Sequence, residues 1–349
     1  MTVWFVLPGD IDDRAAPSGG NVYDRRISQA LAAGGAGLRE IPVPGAWPQP
    51  DLAARHGLAA ALAACPDGSV VLFDGLVACG VPELLRPEAE RLNLVVLVHL
   101  PLADETGLDP ALAAALDAAE RDSLHLARAV VATSAWAAWR LVQRHGLDPD
   151  RVHTVPPGVD PAPIAPGTDG GSQLLCVASL TPRKGHDLLV KALAEVGDLP
   201  WHCACAGPLR DPAQLRLVRD LIERHGLGER IRLLGPRTGM PLERQYAAAD
   251  LLVLPSRAET YGMVVTEALA RGIPVLATSG SGVPEALGDG GLLVPPGDVT
   301  ALAAALRRWL TNEDLRRDLR VSARRRRGVL STWDESAREL AQVLATLRA

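Results

Sequence analysis

The chain has 349 residues, 48% of them hydrophobic and 22% charged, a balance that excludes a disordered chain and gives length for about two cores at roughly 150 residues each. The net charge of −5 is unevenly spread: residues 1–160 carry 12 Arg against 20 Asp and Glu, net −8, while residues 161–349 carry 24 Lys and Arg against 21 Asp and Glu, net +3. No apolar run reaches the ~18 residues of a spanning helix, and Val3 to Leu7 is too short for a secretory leader and runs into Asp10, Asp12 and Asp13, so a soluble, cytoplasmic protein is expected.

Thr2 to Leu7 reads as the first strand. Pro8 to Gly20 is turn-rich, and Asn21 to Ala33 is helical, with Val22, Ile27, Ala30 and Leu31 on one face. Gly19 and Gly20 therefore fall between strand and helix, where glycine lets backbone approach a ligand and a helix N-terminus favours an anion; a plain turn is the alternative. Val70 to Phe73, Leu94 to Val98 and Ala129 to Thr133 are buried strands separated by Ala- and Leu-rich helices. Asp109-Pro110 marks a helix start, and Ser134 is placed to cap the helix that carries Trp136 and Trp139. His99 follows its strand at the carboxyl end, a position open to a structural or a functional use. The five cysteines (65, 79, 176, 203 and 205) are odd in number without paired metal spacing, which suits core thiols.

Pro156 to Gly171 is rich in Pro and Gly and reads as the linker between a first domain, 1–164, and a second, 165–332. The second repeats the alternation. Leu174 to Ser179 is a strand, followed by Thr181-Pro182-Arg183-Lys184-Gly185 and a helix from His186. Lys184, one of only two lysines in the chain, stands where an ammonium can meet phosphate charge together with helix amides; a plain surface charge is the alternative. Strands at Trp201 to Ala206 and Ile231 to Leu234 end in Gly207-Pro208 and Gly235-Pro236-Arg237. The apolar run Leu251 to Leu254 leads into a polar loop with Glu259, a helix from Met263 to Arg271 with Glu267, and a strand at Ile273 to Ala277. This is a parallel crossover unit, whose ligands gather at the carboxyl ends of the strands. The amides near Tyr261, Gly262, Met263 and Val264 open a helix N-terminus to phosphate or sugar oxygens, and an ionised carboxylate, being acceptor-only, suits a vicinal diol. Arg316 to Arg327 forms a basic stretch with Leu315, Leu319 and Val321 as its core stripe; a solvated helix face is expected, with contact to an anionic membrane as the less favoured reading. A final helix runs from Trp333.

The set Pro255-Ser256, Glu259, Gly262, Glu267-Ala268, Gly272-x-Pro274-Val275 and Glu285 resembles the retaining nucleotide-sugar glycosyltransferases of family four. The resemblance implies an α/β protein with the GT-B fold, two Rossmann-like domains whose parallel sheets face across a cleft, and a terminal helix, 333–349, that crosses back onto the first domain. It implies transfer of a sugar from a nucleoside diphosphate-sugar to an acceptor hydroxyl with retention at the anomeric carbon. No metal and no cofactor are expected, the sugar nucleotide being a co-substrate. Lys184 and the amides around Gly19-Gly20 and Gly262-Met263 would meet the diphosphate, Glu267 the ribose, Glu259 and the backbone after it the sugar hydroxyls, and Arg237 the nucleobase, while His99 would contact the transferred sugar. Two positions depart from the family pattern: Ser179 replaces an arginine five residues before Lys184, leaving Arg183 as its candidate substitute, and Pro157 replaces an asparagine before Gly158. The acceptor is undetermined and no nucleic-acid partner is expected. A GT-B epimerase acting on the sugar nucleotide and a non-catalytic transferase-like subunit are the rival readings; a phosphorylase, which would need a cofactor-bearing lysine, is disfavoured by a chain whose lysines are Lys184 and Lys191 alone.

Overall fold

A computed structural model describes residues 2–13, 15, 17–168 and 170–347. The chain divides into two compact units, the first made of Met1–Asp13, Gly19–Gly158 and Ser331–Ala349, the second of Val159–Leu330 with the short stretch Arg14–Ser18.

The first unit is built on six parallel strands: β1 (Thr2–Pro8), β2 (Gly37–Val43), β3 (Val70–Asp74), β4 (Asn93–Val98), β5 (Ala129–Ala132) and β6 (Val152–Thr154), in the order β2-β1-β3-β4-β5-β6. β3 and β5 are buried throughout and β4 at all but its first residue. Strands covered on both faces have no polar side, which is why these three read as unbroken apolar runs. β2 lies at the sheet edge and is buried only at Val43; its sequence, GLREIPV, carries no such run, and sequence reading passes over it.

The helix after β1 spans Gly19–Ala33, so Gly19 and Gly20 are its first residues and not part of a preceding loop. Glycine is a poor helix former, and apolar periodicity begins to count only at Val22. Asp109 accepts from the amides of Ala111 and Leu112, and Ser134 from that of Ala137, the two expected caps. The helix Trp333–Thr346 opens with a capping box from Thr332 and Glu335 and buries Trp333, Ala337, Leu340 and Leu344. It packs on the helix Gly19–Ala33, where the Tyr23 ring meets Trp333 edge-on at 5.6 Å and the Tyr23 hydroxyl donates to the Val155 carbonyl at 3.0 Å. Positions 348 and 349 of the expected terminal helix lie outside the described residues.

The second unit holds β7 (Gln173–Val177), β8 (His202–Ala206), β9 (Ile231–Gly235), β10 (Leu251–Leu254), β11 (Val275–Thr278) and β12 (Gly291–Val294), all parallel in the order β12-β11-β10-β7-β8-β9. Counted within the unit this is the doubly wound order 3-2-1-4-5-6 read from the other edge. Trp201 and Trp309 are its largest fully buried side chains, and each indole N–H is satisfied by a carbonyl, Val196 and Gly171 respectively. All five cysteines are buried free thiols. In the Arg-rich helix Glu313–Arg327, Leu319 and Ala323 are buried, but Val321 is 62% exposed and does not belong to the stripe. Two residues past Leu319 is about 200° around the helix. Several of its arginines are engaged, Arg325 with Asp289 and Arg327 with the carbonyls of Ala270 and Ala162. Among the described residues no helix is long and apolar enough to cross a membrane.

Candidate functional site

In the second unit the strand order reverses between β7 and β10, and the crevice beyond the carboxyl ends at such a point is where ligands settle in open α/β sheets. The two loops that leave these strands are fastened together. The Arg257 amide donates to the Arg183 carbonyl at 2.7 Å, and the Arg257 guanidinium forks onto Asp187 at 3.0 and 2.7 Å. Gly185, with φ +68°, closes the turn Pro182–Lys184, and a Cβ there would stand 2.2 Å from the Pro255 carbonyl oxygen. Only glycine satisfies both the left-handed backbone and that approach.

This clamp brings Lys184 Nζ to 2.5 Å from Glu259 Oε1, which also accepts from Ser256 Oγ at 2.7 Å. Arg183 Nη1 donates to the Ala258 carbonyl at 3.3 Å and lies 3.7 Å from Glu259 Oε2. Burial alone would raise the Glu259 pKa, but the Lys184 and Arg183 cations outweigh it and hold the carboxyl below its ordinary range. Two cations face one carboxylate at this site. Glu259 thus serves as the counter-ion of Lys184 in this structure.

The helix Met263–Ala270 follows. Gly262 precedes it with no side-chain cap, so the first-turn amides of Met263 and Val264 keep their donors available to a ligand. Met263 and Val264 are half-buried, and Tyr261 packs into the core. Glu267 sits in the second turn, where Tyr246 donates to its Oε2 at 2.6 Å and Arg271 donates to its backbone carbonyl at 2.7 Å. The Arg271 guanidinium also stacks on the Tyr246 ring at 4.4 Å. Burial raises the Glu267 pKa, against the Tyr246 hydrogen bond and the Arg271 charge. One oxygen of this carboxylate is pinned and the other is left to a further donor. Arg237, past the outer strand β9, bonds the Pro236 carbonyl of its own loop at 2.9 Å and is not joined to the Lys184–Glu259 group.

In the first unit the order reverses between β1 and β3. His99, just past β4, places Nε2 2.7 Å from Asp24 Oδ1 on the helix Gly19–Ala33. Asp74, the last residue of β3, accepts from the Leu76 amide at 2.6 Å, and the three side chains bring one ligand atom each within 4.8 Å of one another. Asp24 is fully buried and Asp74 3% exposed. Burial pushes Asp24 up to about 7, partly opposed by the neighbouring Asp74 and by the Arg25 charge. Burial, with the neighbouring Asp24, also raises Asp74. Burial lowers His99, which the Asp74 charge partly opposes. Gly20 packs on this histidine: a Cβ there would lie 3.0 Å from His99 Cδ2. The Tyr23 ring stands edge-on to the imidazole at 5.1 Å.

Sequence reading missed Asp24, Asp74, Tyr246, Arg257 and Arg271 as parts of these clusters, and took Ser256 only as part of the family pattern. Asp74 carried a signal, a carboxylate directly after four apolar strand residues. Asp24 and Tyr246 carried none, since each lies within an unremarkable helix.

The sequence profile described as Glycosyltransferase Family 4 matches residues 16–163, and that described as Glycosyl transferases group 1 matches residues 166–326. A D-inositol 3-phosphate glycosyltransferase of Jonesia denitrificans is 31% identical over 252 residues, 66% of this chain and 59% of that protein. The enzyme of the same name from Corynebacterium efficiens is 34% identical over 197 residues, 50% and 46% of the two chains. The matched span is therefore about half to three fifths of those relatives' own length. Among solved structures, sucrose-phosphate synthase from Thermosynechococcus elongatus superposes with a TM-score of 0.81 at 22% identity over 99% of both chains. Anabaena Alr3699/HepE, solved with UDP-glucose, gives 0.77 at 18% identity over 99% of this chain and 100% of that one. With both sheets wound in parallel and adjoining family profiles over nearly all its length, the chain belongs to the family-four, group-one glycosyltransferases of GT-B fold.

Proposed function

We propose that the protein transfers a sugar from a nucleoside diphosphate-sugar to an acceptor hydroxyl, with retention at the anomeric carbon and without a metal. The observation that carries this reading is the Lys184–Arg183–Glu259 group beside an uncapped helix start, at the reversal point of the second sheet. As the bond to the anomeric carbon breaks, negative charge grows on the departing diphosphate. Lys184, Arg183 and the amides of Gly262 and Met263 stabilise it; losing one such donor typically costs about 10²–10³ in rate. Glu267, held by Tyr246, accepts from the ribose hydroxyls. Glu259 and the backbone through Val264 take the sugar hydroxyls, and Arg237 the base. In the first unit, His99 and the helix start at Gly19-Gly20 serve the sugar and acceptor. A leaving phosphate oxygen receives the acceptor proton on the face from which the nucleotide departs.

The names of the relatives suggest where to begin: UDP-sugars as donors and phosphorylated polyols such as inositol phosphate as acceptors. Thermal-shift screening of UDP-, GDP-, ADP- and TDP-sugars should find the donor, because ligand at 100 times its Kd adds about 2.7 kcal/mol. With donor and acceptor in hand, Lys184→Ala and Glu267→Ala should each lower turnover at least tenfold while the protein stays folded. The product anomer should match the donor by NMR, and chelator should leave the rate unchanged. Near-normal turnover in either variant, or conversion of donor alone into a stereoisomer, would overturn the reading.

A further inference from the structure

Asp24 and Asp74 form a buried pair of carboxyls that the proposed chemistry leaves without a task. Asp24 Oδ1 is bonded to His99 Nε2 at 2.7 Å, whereas Asp24 Oδ2 is buried with no hydrogen-bond donor reaching it. The Asp74 carboxyl, whose Oδ1 already accepts from the Leu76 amide, has an oxygen within 4.8 Å of a carboxyl oxygen of Asp24. Two ionised carboxylates cannot hydrogen-bond to each other, and at this separation inside a protein they repel. A single proton between them removes the repulsion and satisfies the orphaned oxygen.

The alternative places that proton on the imidazole, giving His99 a positive charge and leaving both carboxylates ionised. Both arrangements hold the same number of protons, so total charge does not choose between them. Geometry does. A cationic ring leaves Asp24 Oδ2 without a donor, and the surroundings offer little to stabilise two buried anions. Among the described residues, the groups facing the cluster are Tyr23, edge-on to the ring; Arg25, turned outward onto Asp12 and Glu40; Cys79, a buried thiol; and Glu339, which acts through Tyr23.

We propose that Asp24 and Asp74 share one proton and thereby act as positioning residues that fix His99 as the neutral tautomer with its hydrogen on Nε2, presenting Nδ1 as an acceptor to a substrate hydroxyl. The inference rests on the transferase reading for the identity of that hydroxyl, but not for the state of the ring. Gly20 completes the arrangement, since a side chain there would press on the imidazole and tilt it away from Asp24.

The test is nitrogen-15 NMR of histidine-labelled full-length protein without donor, the His99 signals being assigned with His99→Gln. At neutral pH the ring should show one protonated nitrogen, Nε2, and one bare nitrogen, Nδ1. Asp74→Asn mimics the protonated carboxyl, its amide donating to Asp24 permanently, and should leave the tautomer and the ring's titration within about half a pH unit of the parent. Asp24→Asn should shift the tautomer populations or lower the ring's titration by a unit or more. It should also cut kcat at least tenfold with donor KM changed no more than about twofold. A doubly protonated ring in the parent, a titration that falls in Asp74→Asn, or an Asp24→Asn protein with unaltered ring and kcat would each overturn the proposal. So would Mn²⁺ broadening of the His99 signals that disappears in Asp24→Asn, because the cluster would then hold a cation. If both variants fail to fold, the parent spectrum alone decides. Thermal shift with sugar nucleotides on the same samples reports separately on the transferase reading.

Discussion

Lys184 and Glu259 depend on each other in a way that makes their pairing measurable without substrate. The Glu259 pKa is depressed in the folded protein, so the native state binds fewer protons there than the unfolded chain does. Its contribution to stability is full above the unfolded value, about 4.3–4.5, and is lost as pH falls through the lower folded value. Lys184→Ala removes the nearer cation, leaving Arg183 to compensate a buried carboxylate. Breaking a fully buried pair costs about 3–5 kcal/mol; with a second cation retained, roughly 2 kcal/mol at pH 7 is expected. Urea melts at pH 7, 5 and 3.5 should show the gap between parent and variant narrowing toward acid. A gap that widened instead would mean that Glu259 finds its compensation elsewhere. The residues that sequence reading proposed for the site, Lys184 and Glu259, which the structure pairs, and Glu267, share a property: each stands in or just after a loop at the carboxyl end of an apolar strand. Asp24 and Tyr246 reach their partners, 75 and 21 residues away, only through tertiary packing, and no local pattern encodes that.

At the level of the element, the turn between β7 and the helix His186–Glu195 is where backbone geometry is least negotiable. Gly185→Ala combines a left-handed backbone with a Cβ 2.2 Å from the Pro255 carbonyl oxygen, and the loops that hold Lys184 against Glu259 would have to part. Gly226 offers a control, having φ +64° but nothing within 4 Å of where a Cβ would stand. Gly226→Ala should cost about 1–2 kcal/mol, the left-handed backbone penalty alone; Gly185→Ala should cost at least about 2 kcal/mol more in urea melts and also impair donor binding. Equal costs would show that the contact with Pro255 relaxes freely. The strands buried on both faces were plain in the sequence because burial forbids polar alternation. The edge strand β2 and the helix Met240–Ala248 were not: the first is mostly exposed, and the second buries only Tyr246.

For the whole molecule, the helix Trp333–Thr346 makes the first unit discontinuous in sequence, because 172 residues, Val159–Leu330, intervene between its two main parts. Deleting residues 331–349 would strip Trp333, Ala337, Leu340 and Leu344 from the first core while leaving the second unit's elements intact. Calorimetry should then lose the first unit's transition and the protein should bind ANS; an unchanged thermogram would mean the helix is dispensable. The same arrangement sets an order of events at the ribosome. At about 5–20 residues per second, the polypeptide past Gly158 needs on the order of 10–35 s to deliver the segment that covers Tyr23. Through that interval the earlier half waits with an uncovered apolar face, and the later half can finish first. Nascent chains stalled near residue 330 should accordingly be the ones that chaperones hold longest.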